Sequence, residues 1–461
     1  MKLAILGAGP GGYVAAIKAA QLGARVTVIE EAEVGGTCLN WGCIPTKTML
    51  ASSELLSKAR ELDKFGIELR GELIPNLARI VERKNRVVNT QVKGIRGLFK
   101  SWGITLKEGR GRLISPKAIE VRTKDGNSEQ IEADSIIIAT GSRPARFPAF
   151  PFDGKNIISS TEALELTEIP KSLLIIGAGV IGCEFACIYR ELGTEVTIVE
   201  MLPRAVATED HDISELLEKE LKKKKITLFT EMKVENAEIK DDGVHAFLSG
   251  GKEVVAEKVL VSIGRELNSG DIGLEEVGVT RGSSGDIIVN NRMETNIAGI
   301  YAIGDVTGGV LLAHMASREG LVAAKNIMGI DAAIDYTVVP AAIFTSPEIA
   351  SVGIREHQAA GKGIKYRTGQ FQFRALGKAH AMGEFSGFIK LIAEESSDRL
   401  IGAHIIGPHA SDLIHEAVLA MKTGLTVRDI AETIHAHPTL AEGIMEAAED
   451  AHGEAIHVQK K

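Results

Sequence analysis

Two thiols and a lysine lie close together in Gly35-Gly36-Thr37-Cys38-Leu39-Asn40-Trp41-Gly42-Cys43-Ile44-Pro45-Thr46-Lys47. Cysteines five residues apart can form a dithiol–disulfide couple, ligate a metal or fill a core. A regular helix separates Cα atoms i and i+5 by about 8–9 Å, whereas a disulfide usually spans no more than about 6.8 Å. If Cys38 and Cys43 pair, the segment between them is not undistorted helix, and Gly42 makes the distortion cheap. A metal is the weaker reading, because no second Cys/His cluster stands ready to complete a tetrahedral site. Near the other end lies His435-Ala436-His437-Pro438-Thr439-Leu440-Ala441-Glu442. A histidine before proline is held out of helix, and a carboxylate five residues on can orient its ring. Such a pair suits proton transfer to and from a thiol near neutral pH, although taken by itself the pattern reads more readily as a surface-loop histidine. His435 shows no such partner and reads as structural. Cys183 and Cys187, four apart, suit one packed helix face better than a second redox pair.

These groups need elements to position them. Leu3-Ala4-Ile5-Leu6-Gly7-Ala8-Gly9-Pro10-Gly11-Gly12 reads as strand, tight turn and helix, and Gly7, Gly9 and Gly12 satisfy G-x-G-x-x-G in the context that motif requires. The helix stops near Gly23, and a second strand, Arg25–Ile29, ends at Glu30. The helix start suits a pyrophosphate and the acidic residue a ribose hydroxyl. The same pattern returns at Leu173–Ile176 with Gly177, Gly179 and Gly182, and Thr194–Val199 leads to Glu200 at the same offset as Glu30. One such fingerprint is weak evidence; two in matching register predict two dinucleotides in one chain. With a dithiol just after the first, they predict an electron path between nicotinamide, flavin and thiols. Glu200 would repel a 2′-phosphate, which favours NAD over NADP even with Arg204 nearby. Helices are expected over about 47–65, 76–103 and 412–424. A buried strand is expected from Glu132 to Gly141, an apolar strand ending in Gly304-Asp305, and a helix from Leu311. From Tyr336 onward the pattern becomes a separate α+β domain without a nucleotide motif.

The chain has 461 residues, too many for one core, so two to four domains are expected. Its 44% apolar and 25% charged residues are ordinary for a soluble globular protein, and its net charge of −8 supports no general affinity for nucleic acid or anionic membrane. No stretch has the length of a transmembrane helix, and the opening apolar run is too short for a signal peptide and leads straight into a glycine turn. These features predict a cytoplasmic location.

On these motifs the chain resembles the FAD-dependent pyridine nucleotide-disulfide oxidoreductases over essentially its full length, in the branch that acts on lipoyl dithiols. The resemblance implies an α/β architecture of two Rossmann-like domains, for FAD and NAD, plus a C-terminal α+β dimerisation domain. The expected divisions are 1–143 (FAD, first part), 144–264 (NAD), 265–335 (FAD, second part) and 336–461 (dimerisation). It implies that Cys38 is the interchange thiol, that Cys43 lies against the flavin and pairs with Cys38 as a redox disulfide, and that His437, oriented by Glu442, is the acid/base group. In that family the histidine reaches the dithiol of the other subunit, so a homodimer is expected. Lys47 and Glu184 would form an ion pair near the flavin. Gly7, Gly9, Gly12, Glu30, Gly111, Thr140, Gly141, Ser142, Asp305, Ala313 and His314 match FAD-contacting positions. Gly177, Gly179, Gly182, Glu200, Val234 and Gly264 match NAD-contacting ones. The implied reaction is oxidation of protein-bound dihydrolipoamide by NAD+, with lipoyl-bearing proteins as partners. One departure is the absence of a proline before Asn268, which leaves that turn in doubt. Glutathione-type reductases, which usually carry basic residues where Glu200 stands, and mercuric reductases, which end in an extra cysteine pair, fit less well. A redox-regulated binding protein without turnover has no reason to keep Cys38, Cys43, His437 and Glu442 together.

Overall fold

The computed structural model describes residues 1–458. Two five-stranded parallel sheets share one layout. In the first the order is Ile300–Ala302, Ser135–Ile138, Lys2–Leu6, Arg25–Glu30, Thr105–Glu108. In the second it is Ile157–Ile158, Lys258–Val261, Ser172–Ile176, Glu195–Val199, Thr227–Phe229. Strands buried on both faces need continuous apolar runs rather than alternation; Leu3–Leu6 and Leu173–Ile176 supply them and are buried throughout. Each sheet has a three-stranded antiparallel companion, Arg110–Glu132 in the first unit and Val234–Ala256 in the second. The first unit is interrupted: its edge strand Ile300–Ala302 arrives only after the second unit is complete. A short antiparallel pair, Ser142–Pro144 with Arg265–Leu267, marks the two crossings between units.

The repeat extends to single hydrogen bonds. The Gly7 N–H donates to the Ile29 carbonyl and the Gly177 N–H to the Val199 carbonyl, both at 2.8 Å. This fixes each glycine turn at the carboxyl end of its sheet, where ligands of open α/β sheets bind.

The third region is different in kind. Its five-stranded antiparallel sheet runs Ala341–Ile343, Ile349–Gly353, Leu400–Ile406, Phe388–Glu394, Tyr366–Gln372. The helices Ala410–Thr423 and Glu442–Asp450 pack against it around Phe371, Ile389, Ile405, Ile414 and Ile444.

The limits of the helix after the dithiol differ from expectation. The helix expected from residue 47 begins at Cys43 and ends at Ala59, with a separate short turn at Leu62–Phe65. Pro45 falls in the first turn, where a missing N–H costs nothing, so the helix starts ahead of it. The next helix, Leu77–Ser101, is capped by Asn76, whose side chain accepts from the Arg79 N–H at 3.0 Å. Among the described residues no helix is long and apolar enough to cross a membrane.

Candidate active site

The glycine turns are built for close approach. Gly7 has φ +105° and Gly177 +102°, a region that disfavours a side chain. A Cβ on Gly12 would run into the Gly7 carbonyl oxygen, and one on Gly182 into that of Gly177, so both turns need glycine to seat helix against strand. Gly9 and Gly179 have open space instead, with only the Gly36 Cα 3.9 Å from a Cβ on Gly9 and nothing within 4 Å at Gly179. A cradle that admits a pyrophosphate at a helix start has these two properties. The acidic residues also match. Glu30 accepts from the Ala8 N–H at 2.7 Å and the Ala32 N–H at 2.9 Å; Glu200 accepts from Ala178 at 2.7 Å and Leu202 at 2.8 Å. Burial raises the Glu30 carboxyl above the ordinary range despite its two backbone donors. Arg204 is turned toward its own loop, donating to the Ala207 carbonyl at 2.8 Å. The residues therefore fit two dinucleotides. Gly179→Ala is expected to leave the melting temperature unchanged, because no atom is displaced, and to raise KM for NAD+ roughly tenfold by blocking backbone approach to the pyrophosphate. Thermal melts beside steady-state kinetics check both halves.

The dithiol sits where a helix breaks. Gly36–Asn40 is one short helix, Cys43–Ala59 the next, and Trp41-Gly42 the break. The chain folds back tightly enough that a Cβ on Gly42 would lie 3.0 Å from the Thr37 carbonyl oxygen and 3.5 Å from the Cys38 Cα. Asn40 braces the bend, donating to the carbonyls of Val34 at 3.1 Å and Gly36 at 3.0 Å. Both cysteines are free thiols in the structure, not the disulfide of the expected oxidised couple, and they are hydrogen-bonded to each other. That bond, helped by the Lys47 charge and opposed by desolvation, pulls Cys43 down to about 7. The same bond, together with burial, pushes the Cys38 thiol far up. The two thiols are thus unequal, with Cys43 the more acidic.

Lys47, one helical turn past Cys43, donates to both carboxylate oxygens of Glu184 at 2.8 Å. Glu184 lies on the helix after the second glycine turn, and its side chain is 4% exposed. The Phe344 N–H, from the third region, donates to the same carboxylate at 2.9 Å, and the Lys47 Nζ stands 4.6 Å from the Phe344 ring centre. All three regions meet at this ion pair. Lys47→Met leaves a buried carboxylate without its counter-charge, a loss of about 3–5 kcal/mol for such pairs. Because Lys47 lowers the Cys43 pKa and Glu184 raises it, the same variant is expected to move the thiolate titration to higher pH and Glu184→Gln to lower pH. Ultraviolet thiolate absorbance against pH, with denaturant unfolding, measures both effects.

Ser142 ties the remaining first-unit residues together. Its hydroxyl bonds to Asp305 and accepts from the Arg265 Nε at 2.7 Å; its carbonyl accepts from the Arg265 Nη2 at 2.9 Å and the Thr37 hydroxyl at 3.2 Å. Arg265 was not among the expected site residues. It is held between Ser142 and Asp305, burial lowers its pKa, and the Cys43 charge reaches it. Its only sequence signal is adjacency to Gly264. The turn left in doubt by the missing proline is secured by Asn268, which donates to the Thr140 carbonyl at 2.9 Å, while its own carbonyl accepts from the Thr140 hydroxyl at 2.7 Å and its N–H donates to Gly141 at 2.9 Å. Ala313 and His314 open the helix Ala313–Ile327, and the His314 Nε2 bonds to the Pro340 carbonyl at 2.8 Å. Gly264 lies in the segment that covers Gly177, where a Cβ on Gly177 would meet Ile263 at 2.8 Å. Two expected contact positions are packed in cores: Gly111 against Leu6 and Ile29, and Val234 among Val199, Leu248 and Val261. Any contact they make with a nucleotide goes through the backbone.

His437 and Glu442 stand in the third region. The His437 Nδ1 is 2.8 Å from the Glu442 Oε1, and the Thr439 N–H donates to Oε2 at 2.8 Å. Burial works to raise the Glu442 carboxyl, but these two hydrogen bonds outweigh it and hold the group below the usual range. The His437 side chain is 77% exposed and makes no hydrogen bond to either thiol of its own chain among the described residues. With Nδ1–H directed at Glu442, its Nε2 presents a lone pair outward. His435, expected to have no partner, has one: Glu416, nineteen residues upstream on the helix Ala410–Thr423, at 2.9 Å. Cys183 and Cys187 are fully buried on one helix face, and burial raises both thiols. The group of carboxylates close enough for a metal, Asp210, Asp212 and Glu356, is filled by the Lys390 Nζ, which ion-pairs with all three.

Two matched nucleotide units around a close pair of thiols, with a carboxylate-held histidine in a third region, define a nucleotide-dependent thiol–disulfide oxidoreductase. Comparison with known proteins specifies the class. Residues 1–320 match the pyridine nucleotide-disulphide oxidoreductase family model, and residues 339–448 match the dimerisation domain of the same family. The chain belongs to this family. It is 47% identical to a dihydrolipoyl dehydrogenase of Chlamydia muridarum, covering 96% of this chain and 95% of that one, and 43% identical to one of Bacillus subtilis, covering 98% of each. It is 41% identical to a mitochondrial dihydrolipoyl dehydrogenase of Pisum sativum, over 98% of this chain and 92% of the relative. Among solved structures it superposes on LpdA from Mycobacterium tuberculosis with a TM-score of 0.92 at 31% identity, covering 97% and 99% of the two chains. It also superposes on the HOCl-induced flavoprotein disulfide reductase RclA from Escherichia coli, with a TM-score of 0.86 at 25% identity, over 96% and 98%.

Proposed function

We propose that the protein is an NAD+-dependent dihydrolipoyl dehydrogenase working as a homodimer on protein-bound dihydrolipoamide. The observation that carries this reading is the Cys38/Cys43 thiol pair beside the Lys47–Glu184 ion pair, flanked by two acid-terminated nucleotide cradles. Gly7, Gly9, Gly12, Glu30, Ser142 and Asp305 would hold FAD; Gly177, Gly179, Gly182 and Glu200 would hold NAD. When bound, these two cofactors supply the two-electron redox chemistry that carries electrons away from the dithiol.

The chain's own residues do the rest. In the oxidised couple Cys38 and Cys43 are joined as a disulfide. The Nε2 of His437, from the second subunit, takes a proton from one substrate thiol while Glu442 supports the developing imidazolium. The substrate thiolate attacks the Cys38 sulfur; the S–S bond breaks and its electron pair leaves on Cys43, the sulfur better able to carry charge. The imidazolium gives its proton to Cys38 as the second substrate thiol, whose own proton passes to the freed Nε2, attacks the substrate sulfur of the mixed disulfide and expels Cys38 as a thiol. The substrate leaves as a cyclic disulfide with two electrons fewer, and those electrons remain on the Cys38/Cys43 dithiol. The lipoyl-bearing partner is an acyltransferase of a 2-oxoacid dehydrogenase complex or a glycine-cleavage carrier. The test compares NAD+ reduction by dihydrolipoamide with NADPH oxidation by glutathione disulfide, using purified, flavin-loaded protein. Fast NAD+ reduction with little NADPH activity is expected; the reverse pattern rules the reading out.

A further inference from the structure

His435 and His437 are two residues apart and have opposite surroundings. The His435 side chain is 6% exposed. Its Nδ1 lies 2.8 Å from the Thr433 carbonyl oxygen and its Nε2 2.9 Å from the Glu416 Oε1. Both partners are acceptors: a carbonyl has no proton to give, and neither has an ionised carboxylate. A neutral imidazole owns one N–H, so it would leave one of these short contacts as lone pair against lone pair. Only the imidazolium donates at both ends. Glu416 balances the charge that burial would otherwise make costly, and its hydrogen bond raises the ring's proton affinity against that burial.

We propose that His435 is a positioning residue for the acid/base histidine. As a standing imidazolium clamped between Thr433 and Glu416, it ties the loop that carries His437 to the helix Ala410–Thr423 and neutralises the Glu416 charge next to that loop. The inference rests on the reading of His437 as the base. The two rings divide the roles: His437 uses Nδ1 for Glu442 and keeps Nε2 open to a substrate, whereas His435 has both nitrogens committed. The charged groups facing this loop are Glu416 from one helix and Glu442 from the helix Glu442–Asp450; beyond them lies His457, bonded to Glu446 at 2.5 Å and felt by Glu442. Removing the His435 charge leaves Glu416 uncompensated, so His437 then holds its proton to higher pH.

The test is the pH profile of kcat/KM for dihydrolipoamide with the holoenzyme. His435→Gln is expected to move the acidic limb upward by about half a pH unit, a modest charge effect at a partly exposed site. His435→Gln/Glu416→Gln, in which the charge is balanced again, is expected to bring the limb back toward the wild-type position. A purely packing role lowers the rate at every pH and leaves the limb in place in both variants; that result overturns the proposal. A second measurement needs neither a variant nor turnover. In wild-type holoenzyme labelled with nitrogen-15 histidine, both His435 ring nitrogens are expected to carry protons at about pH 8, well above the ordinary histidine pKa. A neutral ring there overturns the proposal even if the wild-type enzyme oxidises dihydrolipoamide. Conversely, failure of the wild type to use dihydrolipoamide defeats the functional reading, and the protonation result still decides this one.

Discussion

Cys38→Ser is expected to abolish dihydrolipoamide oxidation, by at least about 10³-fold, as losses of a covalent nucleophile or its target do. The serine hydroxyl can still donate to Cys43, so the bond chiefly responsible for its low pKa is kept. The variant retains both glycine cradles, the Lys47–Glu184 pair and a Cys43 thiolate, and loses only the sulfur that substrate attacks. Flavin content and melting temperature are therefore expected to match the wild type while turnover vanishes. Because the neighbouring donor and Lys47 draw the Cys43 pKa down, its thiolate absorbance is expected to persist at pH 8 and fade as the pH falls. Turnover near the wild-type rate would show that electrons do not pass through Cys38.

His437→Gln is the second large effect. Loss of a positioned general base costs about 10²- to 10⁴-fold. The side chain is 77% exposed and its one described partner is Glu442, so stability is expected to change by no more than about 0.5 kcal/mol, as for other surface substitutions. The pH profile separates a base from a structural group. Without the histidine, the reaction depends on substrate thiol that ionises unaided, so the rate climbs with pH and the deficit narrows in alkaline solution. A deficit equal at all pH values would assign His437 to structure.

The parts of this design legible in the sequence are those enforced locally. A Cβ on Gly12 or Gly182 collides with a backbone carbonyl five residues earlier, so the requirement is written within one turn, and its recurrence 170 residues later exposes the second unit. The bend at Gly42 is similarly local, as is the His437–Glu442 pair, whose members are separated by a single turn. What the sequence hid depends on remote elements. Glu416 reaches His435 from a different helix, Arg265 finds Ser142 across two crossings of the chain, and the Phe344 backbone holds Glu184 from the third region. No spacing rule links such positions.

The outward-facing Nε2 of His437 points to the central claim, an active site completed by the second subunit. Co-expression of Cys38→Ser and His437→Gln chains tests it most directly. Neither homodimer has a working site, but each mixed dimer has one dithiol facing an intact histidine if the base is supplied in trans. Random pairing then restores about a quarter of the wild-type activity in a symmetric dimer. No recovery, with mixed dimers present in the expected proportion, would mean that His437 serves the dithiol of its own chain and would contradict the account.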